Sequence, residues 1–200
     1  MQRTLSLAPN LQYTNADIIP NFVLVNDFSE VALKTFIIDF DKVSRSGTGI
    51  IPIVIDSFGG GVHALFGMIS VIRSCQIPVA TIVSSKAMSA GVVLFSCGTK
   101  GYRFASPLSY FMVHEVSSWN EGKMKDIETD VEHGQEMNRR LLEILDENCG
   151  KKRGWFGKEI DKRSNTDWYL NAKEARKIGL ADKIKMPSLK VEVLQKVTLV

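Results

Sequence analysis

Ser89 is the residue whose type and position first suggest chemistry. It lies in SSKAMSAG (residues 84–91), between an apolar run typical of a buried strand (residues 78–85) and an apolar run typical of a helix (residues 89–98). At such a junction, backbone N–H groups and the positive end of the helix lie beside the hydroxyl and can stabilise an oxyanion. Serine is also a favoured helix N-cap, so this segment alone leaves a purely capping role open.

A serine nucleophile needs a base to take its proton, and the sequence has three histidines. His114 lies near the end of a predicted buried strand (residues 110–115), and the 25 residues that separate it from Ser89 allow one crossover to a neighbouring strand. His63 and His133 fall on predicted helices, where a surface role is the usual one for His133. His114 is therefore the candidate base, although a structural role for it remains open.

The base in turn needs a carboxylate to orient it. Asp161, Asp167 and Asp182 are all available, and their spacing does not choose among them.

A glycine-rich turn, SFGGG (residues 57–61), offers a second anion-binding element. Consecutive glycines let the backbone approach a ligand closely with its N–H groups exposed, which suits a phosphate or an oxyanion. The sequence contains neither GxxxxGK[ST] nor GxGxxG, which weakens the phosphate interpretation. A simple tight turn remains the alternative.

Around these residues the chain repeats a pattern of buried strand, tight turn and helix. Both faces of the predicted strands are apolar, which predicts a largely parallel α/β core with functional groups at the strand ends. The predicted strands cover residues 20–26, 50–56, 78–85 and 110–115. The predicted helices cover residues 28–46, 62–75, 89–98, 123–148 and 172–179, with a short helix near residues 155–162. We interpret residues 164–171 as a link and residues 180–184 as a return to the sheet.

The helix predicted at residues 123–148 is long and mostly polar, with one apolar stripe. The stripe consists of Met124, Ile127, Val131, Met137, Leu141 and Leu145. Because a lone subunit would leave such a stripe exposed, we expect this helix to project and to contact another subunit, with Leu141 and Leu145 in the contact.

Composition excludes several classes of protein. The 25 Lys and Arg residues against 22 Asp and Glu residues give a net charge of only +3, with no basic surface that would indicate nucleic-acid binding. Cys75, Cys97 and Cys149 form no CxxC pair, so neither a disulfide framework nor a zinc site is indicated. With no signal-peptide pattern and no apolar run of membrane-spanning length, we expect a soluble cytoplasmic protein.

Four separated motifs resemble those of the proteolytic subunit of the Clp protease family. SFGG (residues 57–60) is similar to the SPGG turn of that family, MSAGV around Ser89 to ASMGA, and MVHEV around His114 to MIHQP. TDWYLNAKEARKIGLAD (residues 166–182) is similar to RDRFLSAPEAVEYGLVD. The resemblance covers roughly residues 20–185 and runs without a gap from the glycine turn to the long helix.

The resemblance implies a site. Ser89 would be the nucleophile, His114 the general base and then acid, and Asp167 the orienting carboxylate. The backbone N–H groups of Gly60 and Ala90 would form the oxyanion hole, with Gly61 as an alternative to Gly60.

The resemblance also implies an architecture and partners. The fold would be the crotonase-like spiral of ββα units, with residues 1–200 forming one domain, a projecting handle at about residues 115–148 and an N-terminal arm at about residues 1–18. The chain would form a homo-oligomer, a heptameric ring or a stacked double heptamer that encloses the active sites. It would bind no cofactor or metal, because a separate AAA+ unfoldase would use the ATP and deliver unfolded polypeptides.

Some positions depart from the family pattern. Phe58 replaces the proline of the glycine turn, Val116 replaces the proline after the histidine motif, and Ser118 with Trp119 stand where a glycine pair is usual. About four extra residues lie within GKKRGWFG, before the candidate acid. These changes suit a phage-encoded or otherwise specialised member.

Two alternative functions share this fold. A Clp-like phage capsid maturation protease would use the same triad without an unfoldase. A crotonase-type acyl-CoA enzyme would use a two-amide oxyanion hole but would not need the triad.

Overall fold

A mostly parallel sheet lies at the centre of the residues that the structure describes. The structure is a computed structural model, and it describes residues 22–117, 123–164 and 166–188. The strands are β1 (Val23–Val25), β2 (Ile51–Ser57), β3 (Val79–Met88), β4 (Arg103–Ala105), β5 (Tyr110–Val113), β6 (Trp168–Asn171) and β7 (Lys183–Ile184). They pair in the order β1-β2-β3-β4-β7, and every pair in this row is parallel.

The long strand β3 joins two parts of the sheet. Residues 81–83 pair with β4, whereas residues 86–88 pair in parallel with residues 110–112 of β5. β6 then runs antiparallel to β5, and its first residue, Trp168, lies opposite the last residue of β5, Val113. The carboxyl ends of β3 and β5 and the amino end of β6 therefore lie at the same edge.

Six helices are present in the described part of the chain, and two of them have well-defined caps. They are α1 (Glu30–Ser44), α2 (Val62–Ser74), α3 (Ala90–Ser96), α4 (Met124–Asn148), α5 (Trp155–Asp161) and α6 (Ala172–Lys177). The Ser29 hydroxyl accepts the Ala32 N–H at the start of α1, and Asn171 forms a reciprocal capping box with Glu174 at the start of α6. Such caps satisfy N–H groups that have no partner within the helix.

The sequence-based prediction of a largely parallel α/β core is confirmed, with two omissions. β4 was not predicted, and the segment predicted as a link contains β6. The predicted arm at residues 1–18 lies outside the described residues, as do Ser118 and Trp119.

The two halves of α4 differ in burial, and this corrects one expectation. In the carboxyl-terminal half, Leu141 and Leu145 are buried in the core of the same chain rather than available to another subunit. In the amino-terminal half, Met124 is 73% exposed and Val131 45% exposed. Helical periodicity showed that the helix has an apolar face, but it could not show that the chain's own core covers half of that face.

Candidate active site

Ser89 occupies a strained backbone position between β3 and α3. Its φ of 54° and ψ of −120° lie in a region that L-residues rarely adopt. Its N–H donates to the carbonyl of Met112 on β5, 2.9 Å away. Although Ser89 stands at the N-cap position of α3, its hydroxyl makes no capping hydrogen bond, so the simplest structural explanation for this serine does not apply.

The hydroxyl instead contacts His114, the first residue after β5. Ser89 Oγ lies 2.8 Å from His114 Nε2. When the imidazole carries its proton on Nδ1, the serine hydroxyl can donate to Nε2, the geometry that base activation of a serine requires. The pairing of β3 with β5 produces this contact, because both residues follow directly on paired strands.

Asp167 lies on the other side of the imidazole. Its Oδ1 is 3.7 Å from His114 Nδ1, slightly beyond hydrogen-bond distance, and the Tyr169 hydroxyl donates to its Oδ2 at 3.4 Å. The Asp167 side chain is 48% exposed, whereas the sequence argument expected a buried aspartate within hydrogen-bond distance. The register of β5 with β6 explains its position, because Asp167 precedes the residue that faces Val113.

The other two aspartates lie in different environments. Asp161 is the exposed last residue of α5. Asp182 forms a two-pronged ion pair with the buried Arg103, with distances of 2.7 Å and 2.9 Å, and it also accepts the backbone N–H groups of Gly101 and Arg103. Burial raises the pKa of Asp182, but the hydrogen bonds from Arg103 and from the backbone outweigh this effect and hold the pKa below its usual value.

The glycine turn packs directly against Ser89. A Cβ on Gly59, whose φ is +108°, would lie 2.6 Å from Ser89 Cβ, so only glycine fits without a shift. Gly60 follows with a φ of +151°, and among the described residues its N–H has no hydrogen-bond acceptor. The N–H of Gly61 donates to the Phe28 carbonyl at 2.7 Å and is therefore engaged elsewhere.

Ala90 supplies a second N–H group on the same side of the site. As the first residue of α3 it has no acceptor within the helix. Gly60, Ala90, Ser89 and His114 all line one pocket. Two N–H groups beside a serine hydroxyl can together stabilise the negative charge that develops on a carbonyl oxygen under attack.

The rest of this pocket is mostly apolar. Its lining comes from α2, α3, the last residue of β5 with the residues that follow it, and α4. It comprises Val62, Val92, Val93, Val113, Glu115, Val116, Ser117, Leu141, Leu142 and Leu145. The contribution of α4 was missed at the level of sequence, where Leu141 and Leu145 were assigned to a contact between subunits. Such a lining suits an apolar side chain beside the reacting group.

Among the described residues, Cys97, Cys149, His63 and His133 show no comparable arrangement. Burial raises the pKa of Cys97 to about 11 and that of Cys149 to about 12, so both thiols are poor nucleophiles near neutral pH. The His63 and His133 rings stack on each other with their centroids 6.0 Å apart. Within residues 22–117, 123–164 and 166–188, no group of three or more His, Cys, Asp or Glu side chains could hold a metal ion, and no helix is long and apolar enough to cross a membrane.

Comparisons with protein families and with curated proteins both give matches to this chain. The family model described as Clp protease matches residues 43–188. A curated relative, the ATP-dependent Clp protease proteolytic subunit of Porphyromonas gingivalis (strain ATCC BAA-308 / W83), is 33% identical over 134 residues. The match covers 67% of this chain and 59% of the relative, so the chain spans less than two-thirds of that protein's length.

Proposed function

The chain belongs to the Clp protease family, and from that premise we propose that it is a serine endopeptidase, the proteolytic subunit of a Clp-type ATP-dependent protease. The observation that carries the proposal is the 2.8 Å contact between Ser89 Oγ and His114 Nε2. This contact occurs at a strained strand-to-helix junction, where the Ser89 side chain makes no capping hydrogen bond. Strain of this kind is typical of catalytic positions.

In the proposed mechanism, His114 takes the proton of Ser89 as the hydroxyl oxygen attacks a peptide carbonyl. A tetrahedral intermediate forms, and its oxyanion accepts the N–H groups of Gly60 and Ala90. The imidazolium then donates its proton to the leaving amine, and an acyl-enzyme remains on Ser89. Water, deprotonated by His114, hydrolyses the ester and restores the serine.

Asp167 would stabilise the imidazolium and hold the tautomer that leaves Nε2 free to accept a proton. The 3.7 Å separation from His114 Nδ1 is compatible with this role, because catalytic hydrogen bonds are often long in the absence of substrate. Movement of the carboxylate by about 0.8 Å would bring it to ordinary hydrogen-bond length.

The substrates would be unfolded polypeptides with an apolar residue next to the scissile bond. The support is the cluster of Val62, Val92, Leu141 and Leu145 beside Ser89, which would remove a Leu- or Met-sized side chain from water and contribute about 1.5–3 kcal/mol. A charged side chain there would lose its hydration without a partner.

A ring assembly would restrict access to these sites. The support in this chain is the exposed apolar surface of α4, which includes Met124 and Val131, and that of α1, where Val31 is 75% exposed. We propose a heptameric ring or a stacked pair of such rings, with a separate AAA+ unfoldase that uses ATP. The capsid-protease alternative predicts processing without an unfoldase, so dependence on an added ATPase distinguishes the two.

A fluorophosphonate probe tests the nucleophile. We expect it to label wild-type protein at Ser89, and we expect Ser89→Ala to lose both labelling and peptide hydrolysis while it keeps its fold. Residual catalysis of about 10³–10⁴ over water can survive loss of a triad member. Labelling at another serine, together with full activity of Ser89→Ala, would refute Ser89 as the nucleophile and favour the acyl-CoA alternative.

A further inference from the structure

Asn138, one turn before the pocket-lining Leu141 on α4, holds the backbone that follows His114. Its Oδ1 accepts the N–H of Val116 at 3.0 Å, and its Nδ2 donates to Glu115 Oε1 at 3.1 Å. The two partners fix the orientation of the amide, because a backbone N–H requires an oxygen and a carboxylate requires a donor. The side chain therefore joins α4 to the residues after β5 through two matched hydrogen bonds.

Residues 115–117, the pocket rim, have no strand partner within the described part of the chain. The ladder between β5 and β6 ends at Val113 and Trp168, and the rim continues beyond it along the pocket. Among the described residues, the bond from Val116 to Asn138 is the one hydrogen bond that a backbone N–H of the rim makes. Val116 also packs against the core, but the hydrogen bonding that holds the rim backbone relative to Ser89 comes from one side chain of α4.

We propose that Asn138 is a positioning residue for peptide binding, which fixes the pocket rim against α4 so that the rim forms one wall of the substrate site. This inference rests on the proposed peptidase function. Among the described residues, the hydrogen bonds of Asn138 go to Val116 and Glu115 and not to Ser89 or His114, so it acts through the rim and takes no part in proton transfer. Its loss should weaken substrate binding and leave the chemistry at Ser89 nearly intact.

Kinetic measurements distinguish a positioning role of Asn138 from a merely structural one. Asn138→Ala removes both hydrogen bonds but places a better helix former on α4, so the two effects on stability oppose each other. We expect KM for an apolar peptide to rise about fivefold, the factor that corresponds to one net hydrogen bond. We expect kcat, the rate of fluorophosphonate labelling and the melting temperature to change little.

Gln135→Ala is the matched control. Gln135 is an exposed amide on the same helix, and among the described residues it makes no hydrogen bond. Like Asn138→Ala, this control removes a side-chain amide from α4 and adds an alanine. It breaks no hydrogen bond to the pocket rim, so it should leave KM unchanged.

A second pair of variants tests the two contacts directly. Asn138→Asp keeps an acceptor for the Val116 N–H but faces the Glu115 carboxylate with a like charge, and it should raise KM. Adding Glu115→Gln restores a donor opposite the new carboxylate and should return KM towards the wild-type value. If Asn138 only stabilises α4, Glu115→Gln should not restore KM in the double variant.

The outcomes are distinguishable. Failure of the probe to label Ser89 in the wild type would overturn the proposed function itself. If labelling is normal but Asn138→Ala leaves KM unchanged, only the present inference is wrong. It is equally wrong if KM, labelling rate and melting temperature change together, or if the rescue fails.

Discussion

Replacing Gly59 with alanine should disable the site through steric clashes with Ser89 and the residue before it. The added Cβ would lie 2.6 Å from Ser89 Cβ and 2.9 Å from the Met88 carbonyl oxygen, whereas ordinary contacts begin near 3.4 Å. Protein interiors are close-packed, so either the glycine turn or Ser89 must move, by about 0.8 Å if the whole shift falls on one of them.

The size of this shift sets the expected loss of activity. The Ser89 hydroxyl now lies 2.8 Å from His114 Nε2, and a displacement away from the imidazole by such an amount takes it past hydrogen-bond length. Misplacement of reacting groups by about 1 Å costs about 10²-fold in rate, equivalent to about 2.7 kcal/mol in the activation free energy. Overpacking should also lower the free energy of unfolding by about 1–3 kcal/mol.

Gly47→Ala separates the clash from the backbone strain. Gly47 also has a positive φ, +79°, but a Cβ there would meet no atom within 4 Å. This variant shares the conformational penalty of about 1–2 kcal/mol and should keep wild-type activity. The measurements are kcat/KM on a fluorogenic peptide, the rate of fluorophosphonate labelling, and guanidinium unfolding.

Two results would refute the reasoning. One is a Gly59→Ala protein that is labelled and hydrolyses peptide within twofold of the wild type. The other is an equal loss of activity in Gly47→Ala, which would attribute the effect to backbone strain rather than to the contact with Ser89.

Three further predictions concern stability and assembly. The free energy of unfolding of Ser89→Gly should exceed that of Ser89→Ala by about 1 kcal/mol. The reason is that relief of the backbone strain at a φ of 54° exceeds the added flexibility of glycine in the unfolded chain. The reverse order of stability in guanidinium unfolding would contradict this. Asp182→Asn should destabilise the fold by about 3 kcal/mol at pH 7, since it leaves the charge of Arg103 buried without its partner. The pKa of Asp182 is lower in the folded state. The contribution of Asp182 to the free energy of unfolding is therefore present above the unfolded pKa of about 4 and is lost as the pH falls through the folded pKa. A difference in stability between Asp182→Asn and the wild type that persists undiminished at pH 2 would be inconsistent with this. Val131→Glu should lower the native mass in analytical ultracentrifugation while it changes unfolding by less than about 0.5 kcal/mol, whereas Leu145→Glu should prevent folding; an unchanged mass for Val131→Glu would remove α4 from the proposed contact.

Local patterns in the sequence predicted most of the elements and singled out Ser89 and His114, the pair that the structure brings into contact. Continuous apolar runs identified the strands that became β2 and β3, because strands buried on both faces need apolar residues throughout. Ser89 was then singled out at a strand-to-helix junction, and His114 near the end of a predicted buried strand. Burial and chain direction are encoded locally, so these inferences did not require knowledge of distant contacts.

Other features depend on how distant segments pair. β6 was interpreted as a link because it is short, half-exposed and stabilised by its pairing with β5. The same pairing brings Asp167 to His114, while the ion pair with Arg103 occupies Asp182; spacing in the chain had left both aspartates open. Likewise, only packing showed that the Gly61 N–H is engaged by Phe28.

The apolar stripe of α4 shows the physical reason for this division. Its periodicity correctly indicated one apolar face, but Leu145 is buried in the chain's own core while Met124 remains exposed. Periodicity reports that a residue avoids water and is silent on which surface covers it. The sequence by itself thus determined most of the strands and helices and the types of residue at their ends, and the register and packing of the tertiary structure decided which of those residues meet.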